Sequence, residues 1–275
     1  MESFVYQKKM GVPIFRLEQW EKEFPTLVVG FSARDPQDDW NAYNYALHVG
    51  GDPTRIIQNR KKLTRSIGFP FQAWTCGEQV HGVHIEIVDS SQRGKGSDSR
   101  ETAFQETDGM LTGESDLLLA SYYADCVPLY FYSPDLDWVG IAHAGWKGTV
   151  GQIGPRMVDK LVEQGADRQK IRIAIGPSIG SCCYEVDERV ISPLQDALGE
   201  TDLAPNIATY NGQGKWQCDL KQANAAILRK NGISLEQISI TSWCTSCGID
   251  YFYSHRRDQG KTGRMVAWIG KKERR

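Results

Sequence analysis

No stretch of the 275-residue sequence approaches the roughly 20 consecutive apolar residues that a membrane-spanning helix needs. The N-terminal MESFVYQKKMGVPIF, with Glu2 near its start, lacks the apolar run and small-residue cleavage site of a secretory leader. Charge of one sign is not in excess either. Its 32 Lys and Arg against 34 Asp and Glu leave a formal net charge of −2, so no global field draws the chain onto nucleic acid or an anionic membrane. A small or neutral partner is expected, with no nucleic acid and no membrane. The 7 cysteines are odd in number and include the adjacent Cys182 and Cys183, an awkward set for a complete disulfide framework. A reducing cytoplasm is the expected location. Histidine is scarcer still, at 5.

What is present is the balance of a folded protein. Hydrophobic residues make up 40%, and the 27 glycines bring the apolar share to about half. The length suits one large domain or two ordinary ones, and no internal repeat is visible. Strands are expected at TLVVGFS (26–32), HIEIVD (84–89), DLLLASYY (116–123), CVPLYFYS (126–133), WVGIAHAG (138–145), IRIAIGP (171–177), ISITSWCT (238–245) and GRMVAWIG (263–270). Helical spacing marks 52–68, capped by Asp52 with Pro53 in its first turn, then 154–165, and 219–232, closed by Gly232. The Ser- and Gly-rich stretch 90–109 reads as a surface excursion between two halves of one fold, a domain linker being the alternative. Strands outnumber helices and adjoin one another too often for regular alternation. The expected class is α+β, a single domain over 1–275 with mixed β-sheets packed with helices.

The chemistry collects where the apolar strands stop. His81 in CGEQVHGVH, Cys126 in ADCVPLYF and His143 in GIAHAGWKG are of the residue types that bind metals or act as nucleophiles. Singly, each has an ordinary reading as a small buried hydrophobe or a hydrogen-bonded strand end. SPDLD between YFY and WVG is a turn signal, making the flanking strands a β-hairpin. A four-residue loop at Ser133 to Leu136 pairs Tyr132 with Asp137 and, down the ladder, Cys126 with His143. The two side chains would then share a face with Cβ atoms about 4.5–5.5 Å apart, near enough for a common metal ion or an ion pair. A loop one residue longer or shorter would turn them to opposite faces.

Around this pair, Asp125 precedes the cysteine, and Ala-Gly-Trp-Lys-Gly-Thr follows His143. Glycines there admit a ligand to the backbone, and Lys147 or free N–H groups ahead of a helix suit an anion, unless the glycines serve only a tight turn. One histidine and one cysteine do not complete a zinc site. His81 is the natural third ligand, with His84 and His255 competing on composition. Cys244 and Cys247 in CTSC have CxxC spacing, but no second CxxC accompanies them, which favours structural cysteines. His255-Arg256-Arg257 and the terminal KKERR are basic clusters that suit a phosphate but are of the kind usually found on solvated surface.

QVHG (79–82), ADCVP (124–128), HAGWKG (143–148), IGPSIG with CYEVD (175–180, 183–187) and CT…FYSHRRD…TGR (244–264) together resemble the YfiH/YlmD family, most closely its bacterial YlmD members. These proteins were described as laccase-domain or polyphenol oxidases and later as purine nucleoside phosphorylases. The resemblance runs from GFSAR (30–34) and Asn59-Arg60 to TGR. It implies one α+β domain of cysteine-hydrolase-like fold and a catalytic centre of His81, Cys126 and His143 binding zinc, with copper in some relatives. It further implies phosphorolysis of adenosine, inosine and methylthioadenosine, with adenosine deamination alongside. The stretch 90–109 and Cys76, Cys182 and Cys218 fall outside the matched motifs.

Two histidines and one thiolate would leave zinc an open fourth position, the arrangement of a catalytic site. Phosphorolysis also needs cations for phosphate and a donor for the departing purine. Arg60 and Lys147 are the anion candidates and Asn44 a candidate polar substrate contact; a surface charge or a turn-capping amide is the competing role for each. Five histidines are too few for the type-1 and three-copper sites of a laccase. The other rivals are a metal-free Cys126–His143 thiol hydrolase and a non-catalytic zinc-binding module.

Overall fold

The hydrophobic pattern requires strands with two apolar faces, and the chain answers with sheets covered on both sides. The structure is a computed structural model describing residues 2–35, 37 and 42–273. In chain order the elements are β1 (Val5–Lys9), β2 (Val12–Arg16), α1 (Glu18–Glu23), β3 (Leu27–Ser32), α2 (Pro53–Ser66), β4 (Trp74–Cys76), β5 (Ile85–Ile87), β6 (Gly109–Thr112), β7 (Leu118–Tyr123), β8 (Val127–Ser133) and β9 (Trp138–Ala144). There follow α3 (Trp146–Val150), α4 (Ile153–Glu163), β10 (Arg172–Ile175), β11 (Glu185–Val186), α5 (Glu188–Leu198), β12 (Ala208–Gly212), β13 (Lys215–Cys218), α6 (Leu220–Lys230), β14 (Ile238–Ile240) and β15 (Met265–Lys271).

Two six-stranded mixed sheets run β1-β2-β3-β15-β7-β4 and β14-β10-β8-β9-β6-β5, with a three-stranded sheet β11-β13-β12 beside them. Alternation along each strand sorts side chains into layers. Tyr130, Tyr132, Val139 and Ile141 of the second sheet meet Phe31, Leu119, Ala267 and Ile269 of the first in a core between the sheets. Their neighbours Leu129, Phe131 and Ala142 face the opposite way, onto Met157 of α4, Leu194 of α5 and Ile227 of α6. On the outer face of the first sheet, Leu118, Val266 and Trp268 pack with Leu63 of α2. The result is an α/β/β/α stack within one α+β domain. Among the described residues no helix is long and apolar enough to cross a membrane.

Most of the expected elements stand with small changes at their ends, but the strand expected over 238–245 covers only Ile238–Ile240. Asp52 caps α2 through a bond accepted from the Thr54 N–H at 2.9 Å, with Pro53 at its first position. Gly232, at φ +87°, ends α6. The hairpin is corrected. Its loop has the expected four residues but sits one position later, so Ser133 pairs Trp138 and His143 faces Pro128 rather than Cys126. Sliding a loop of fixed length moves the pairing by two residues, and an even step preserves the face. Cys126, just ahead of β8, therefore keeps the side of Pro128 and Tyr130, toward the inter-sheet core that His143 also faces.

The 90–109 stretch is not a linker. The Cys76 N–H donates to Lys95 O at 3.0 Å, and Gly77 forms a bridge with Phe104, so the excursion lies along the β4 edge and returns into β6. Its end delivers Asp108 beside His143.

Candidate metal centre

QVHG is an irregular segment held at both ends. The Gln79 amide donates to Tyr122 O at 3.0 Å and accepts from the Tyr122 N–H at 2.7 Å, adding one side-chain pairing to the edge of β7. His81 then adopts φ +62°, a left-handed conformation uncommon outside glycine. That turn aims the N–H groups of Val80, His81 and Gly82 at the Asp108 carboxylate, at 3.1, 3.1 and 2.7 Å. The same carboxylate accepts from His143 Nδ1 at 2.8 Å. One buried carboxylate thus orients both histidines.

His143 Nε2 is left to face the thiol side of the site, as in carboxylate–histidine–metal arrangements. The ring centroids of His81 and His143 lie 4.7 Å apart at 74°, and Cys126 Sγ is 3.9 Å from His81 Nε2. One donor atom from each of His81, Cys126 and His143 falls within 4.8 Å of the others. Gly145 allows this convergence: a Cβ there would stand 3.0 Å from His81 Cδ2 and 3.1 Å from Cys126 Sγ. The glycine expected to admit a ligand to the backbone makes room for two of the site's own side chains.

The electrostatics are those of a poised thiolate. Burial pushes the Cys126 thiol up, but the imidazoles of His143 and His81 outweigh it and bring it down to about 6. Burial works against a charged His143, yet Cys126 and the Asp108 carboxylate raise it to about 9. Asp108 is itself buried, and its bonds from His143, Gly82 and Val80 hold its carboxyl below the usual range. A thiolate–imidazolium pair is expected in metal-free protein between these values. The ultraviolet thiolate signal, taken as wild type minus Cys126→Ala, should appear as pH rises through about 6, rather than near the ordinary thiol value of 9.

The three residues open onto a cavity of about 540 Å³ whose walls include His48, Tyr122, Trp146, Tyr184, His255, Arg256 and Arg264. Asp125, at φ +84°, shapes the far wall by accepting from Thr245 Oγ1 at 2.6 Å, Ser254 Oγ at 3.0 Å and the Arg256 N–H at 2.7 Å. The cations on the cavity therefore come from the C-terminal HRRD and TGR stretches, the first of which has the pattern of a basic cluster usually found on solvated surface. The terminal Arg274 and Arg275 of KKERR lie outside the described residues.

The other sequence candidates are placed elsewhere. Arg60 is buried beside the Trp74 and Tyr122 rings and donates to Tyr45, Gly96 and Ser97 carbonyls at 2.7–2.8 Å. Asn44 is buried, and its Oδ1 accepts from the N–H groups of Ala46 and Arg264 at 3.1 and 3.0 Å. Lys147 is exposed on α3, with its ammonium 5.8 Å from the Trp146 ring. Neither Asn44, Arg60 nor Lys147 is among the described residues lining the cavity. His84 is exposed and pairs with Glu86 at 3.2 Å; His255 lines the cavity outside the three-donor group. Asp108 was missed from sequence because it closes a polar stretch read as a loop. Its only local signal is an acid directly before the β6 run GMLT.

A mixed α/β/β/α stack with a carboxylate-braced His–Cys–His group at the mouth of a cavity defines a domain with a candidate transition-metal centre. A family model described as multi-copper polyphenol oxidoreductase laccase matches residues 28–272, and the chain belongs to that family. The purine nucleoside phosphorylase YlmD of Geobacillus stearothermophilus is 44% identical over 231 residues, 84% of each chain. Its namesake in Bacillus subtilis is 41% identical over 251 residues, 90% of this chain and 89% of the relative. The crystal structure of YlmD from Geobacillus stearothermophilus matches 99% of this chain and 100% of that one, with a TM-score of 0.91 at 39% identity. The YfiH/YlmD resemblance carried by the motifs is borne out.

Proposed function

We propose that the chain is a cytoplasmic purine nucleoside phosphorylase whose catalytic centre is His81, Cys126 and His143 with a zinc ion. The observation that carries this reading is the convergence of two imidazoles and one thiol within 4.8 Å at the mouth of a cavity with arginines on its walls. The donor set fits the ion: two nitrogens and a readily ionised sulfur, with one histidine braced by Asp108, are the three protein ligands that zinc takes in catalytic sites, where its fourth position stays open to water or substrate. Copper binds the same donors, and metal analysis of the purified protein decides between them. When bound, the ion supplies Lewis acidity at the cavity mouth.

The remaining work belongs to the chain. In phosphorolysis a phosphate oxygen attacks the ribose anomeric carbon, the glycosidic C–N bond breaks, and the purine leaves with a proton. Arg256 and Arg264 are the residues proposed to hold the phosphate, in place of Arg60 and Lys147. The Arg256 backbone N–H is fixed by Asp125, and its guanidinium lies 5.1 Å from the Tyr184 ring. Tyr122, Trp146 and Tyr184 offer aromatic surface for the base. Adenosine, inosine and methylthioadenosine are the proposed substrates, with adenosine deamination at the same centre.

The decisive experiment is chromatography of metal-quantified protein incubated with inosine or adenosine, with and without phosphate. Phosphate-dependent release of free base and ribose 1-phosphate is expected; no turnover of either nucleoside at full metal loading would refute the reading. Arg256→Ala should raise the KM for phosphate about 10–100-fold, as expected for losing a charge-assisted hydrogen bond worth about 1.5–3 kcal/mol. An unchanged phosphate KM would move the anion site away from Arg256.

One observation favours a second reading. Cys126, His143 and Asp108 form a thiol–imidazole–carboxylate series of the kind that serves nucleophilic catalysis without a metal. Activity that survives complete chelation and zinc removal would select it.

A further inference from the structure

We propose that Cys182, Cys183, Cys244 and Cys247 hold a second zinc ion through four thiolates, in a site that shares no residue with His81, Cys126 and His143. The sequence alone gave CTSC no partner, because the complementary cysteines form an adjacent pair rather than a second CxxC. The fold supplies that partner. β10 and β14 are parallel neighbours, paired from Ile173 with Ile238 to Ile175 with Ile240. The segments leaving them therefore emerge side by side, tied by a bridge between Ser178 and Cys244 and by the Thr245 N–H donating to Ser178 O at 3.0 Å. One carries Cys182 and Cys183, the other Cys244 and Cys247.

All four sulfurs lie within 4.8 Å of one another. Cys247 Sγ is 3.4 Å from both Cys182 Sγ and Cys183 Sγ. A tetrahedron with Zn–S bonds of about 2.3 Å has sulfur–sulfur edges of about 3.8 Å, so small movements seat an ion among them. One thiol equidistant from two others suits a cage better than a single disulfide pair. The backbone supports thiolate character independently. The N–H groups of Gly180, Ser246 and Cys247 turn toward Cys244, the first at 3.2 Å from its Sγ, an arrangement that stabilises a sulfur anion. Arg257, itself paired with Asp258, donates to the carbonyls of Thr245 and Ser246 at 3.2 Å and so fixes the backbone between Cys244 and Cys247. Binding forms four Zn–S bonds and releases the thiol protons to solvent.

Such an ion would fasten two loops that reach the cavity. Thr245 is bonded to Asp125, which precedes Cys126, while Ile179 and Tyr184 flank the Cys182–Cys183 pair and line the cavity wall. The four-thiolate site is thus a brace for that wall. It stands on its own geometry and does not depend on the nucleoside reading.

The test counts zinc in the full chain, purified with reductant and supplied with zinc. Cys126→Ala is expected to retain about one zinc per chain, with X-ray absorption showing only sulfur neighbours at about 2.3 Å. Adding Cys247→Ser should abolish that retained zinc. A Cys126→Ala protein holding no zinc, or a double variant holding as much as Cys126→Ala, would overturn the site, as would a mixed nitrogen–sulfur shell. A measurement on unmutated protein guards against misfolded variants: alkylation of the exposed Cys182 and Cys247, read by peptide mass. Zinc should slow it about tenfold or more, and a chelator should restore it. Equal alkylation with and without chelator, or an intact mass showing a Cys182–Cys247 disulfide in the zinc-supplied protein, would also refute the proposal.

Discussion

Asp108→Ala should empty the His–Cys–His centre and destabilise the fold by about 3–5 kcal/mol, the range for breaking a buried hydrogen-bonded charge pair. The carboxylate accepts from three backbone N–H groups of the 80–82 turn and from His143 Nδ1. Alanine strands all four donors, at about 1–3 kcal/mol for each that finds no water. It also frees the left-handed turn that aims His81, so the largest loss should fall on metal binding. Asp108→Asn separates the two effects. The amide fills the same space but accepts only at its single carbonyl oxygen and turns its NH2 toward at least one backbone N–H that the carboxylate had accepted, so stability should recover only part of the loss. It offers His143 no charge, and zinc affinity should stay about 10–100-fold below wild type, the usual penalty for removing such a partner. Competition titration with a chelator reads the affinity and urea unfolding reads the stability. The pH behaviour gives a further readout. Without the carboxylate, His143 loses part of the stabilisation that raises it to about 9, and the Cys126 thiol, held at about 6 chiefly by His143, should move upward. Normal zinc affinity in Asp108→Asn would make the carboxylate a fold element only.

Much of the site was legible because β-structure converts sequence spacing into facing with a period of two. The hairpin placed Cys126 and His143 on one face even though its loop was located one residue early, since an even register error leaves facing intact. The helix boundaries were legible for an equally local reason: Asp52 and Pro53 open α2, and Gly232 closes α6, through bonds made within a few residues. What could not be read are contacts set by sheet order. Asp108 lies 35 positions from His143 and 26 to 28 from its three backbone donors, and meets them only because the 77–109 excursion runs back along β4 into β6. The partnership of CTSC with Cys182 and Cys183 likewise depends on β14 lying parallel to β10. The cavity cations were misplaced for the same reason, with Arg256 and Arg264 arriving from the C-terminal end through Asp125 and Asn44.

Arg60→Ala should lower stability by about 3–5 kcal/mol while leaving the phosphate KM of the proposed reaction within about twofold of wild type. Charge and helical position made Arg60 an anion candidate, but its guanidinium is 1% exposed as a residue and already engaged. Nε donates to Tyr45 O at 2.8 Å, and Nη1 donates to Gly96 O and Ser97 O at 2.8 and 2.7 Å. Its Cζ lies 5.4 Å from the Trp74 ring centroid and 5.0 Å from that of Tyr122, contacts that add cation–π attraction in a desolvated setting. It thereby ties α2, the irregular segment at Tyr45 and the 96–97 turn to the outer face of the first sheet. Alanine removes the filler of that space and leaves three carbonyls to find water. Lysine keeps the charge but has neither the planar fork nor the stacking surface, so Arg60→Lys should recover less than half of the loss. Tyr122 is the route to the cavity: its ring meets Arg60, its hydroxyl bonds Trp74 Nε1 and Cys76 Sγ at 3.2 Å each, and it lines the cavity wall. Any kinetic effect should therefore appear in the nucleoside KM before the phosphate KM. A phosphate KM raised tenfold in a variant of wild-type stability would return Arg60 to the anion site and require the packing around α2 to open in solution.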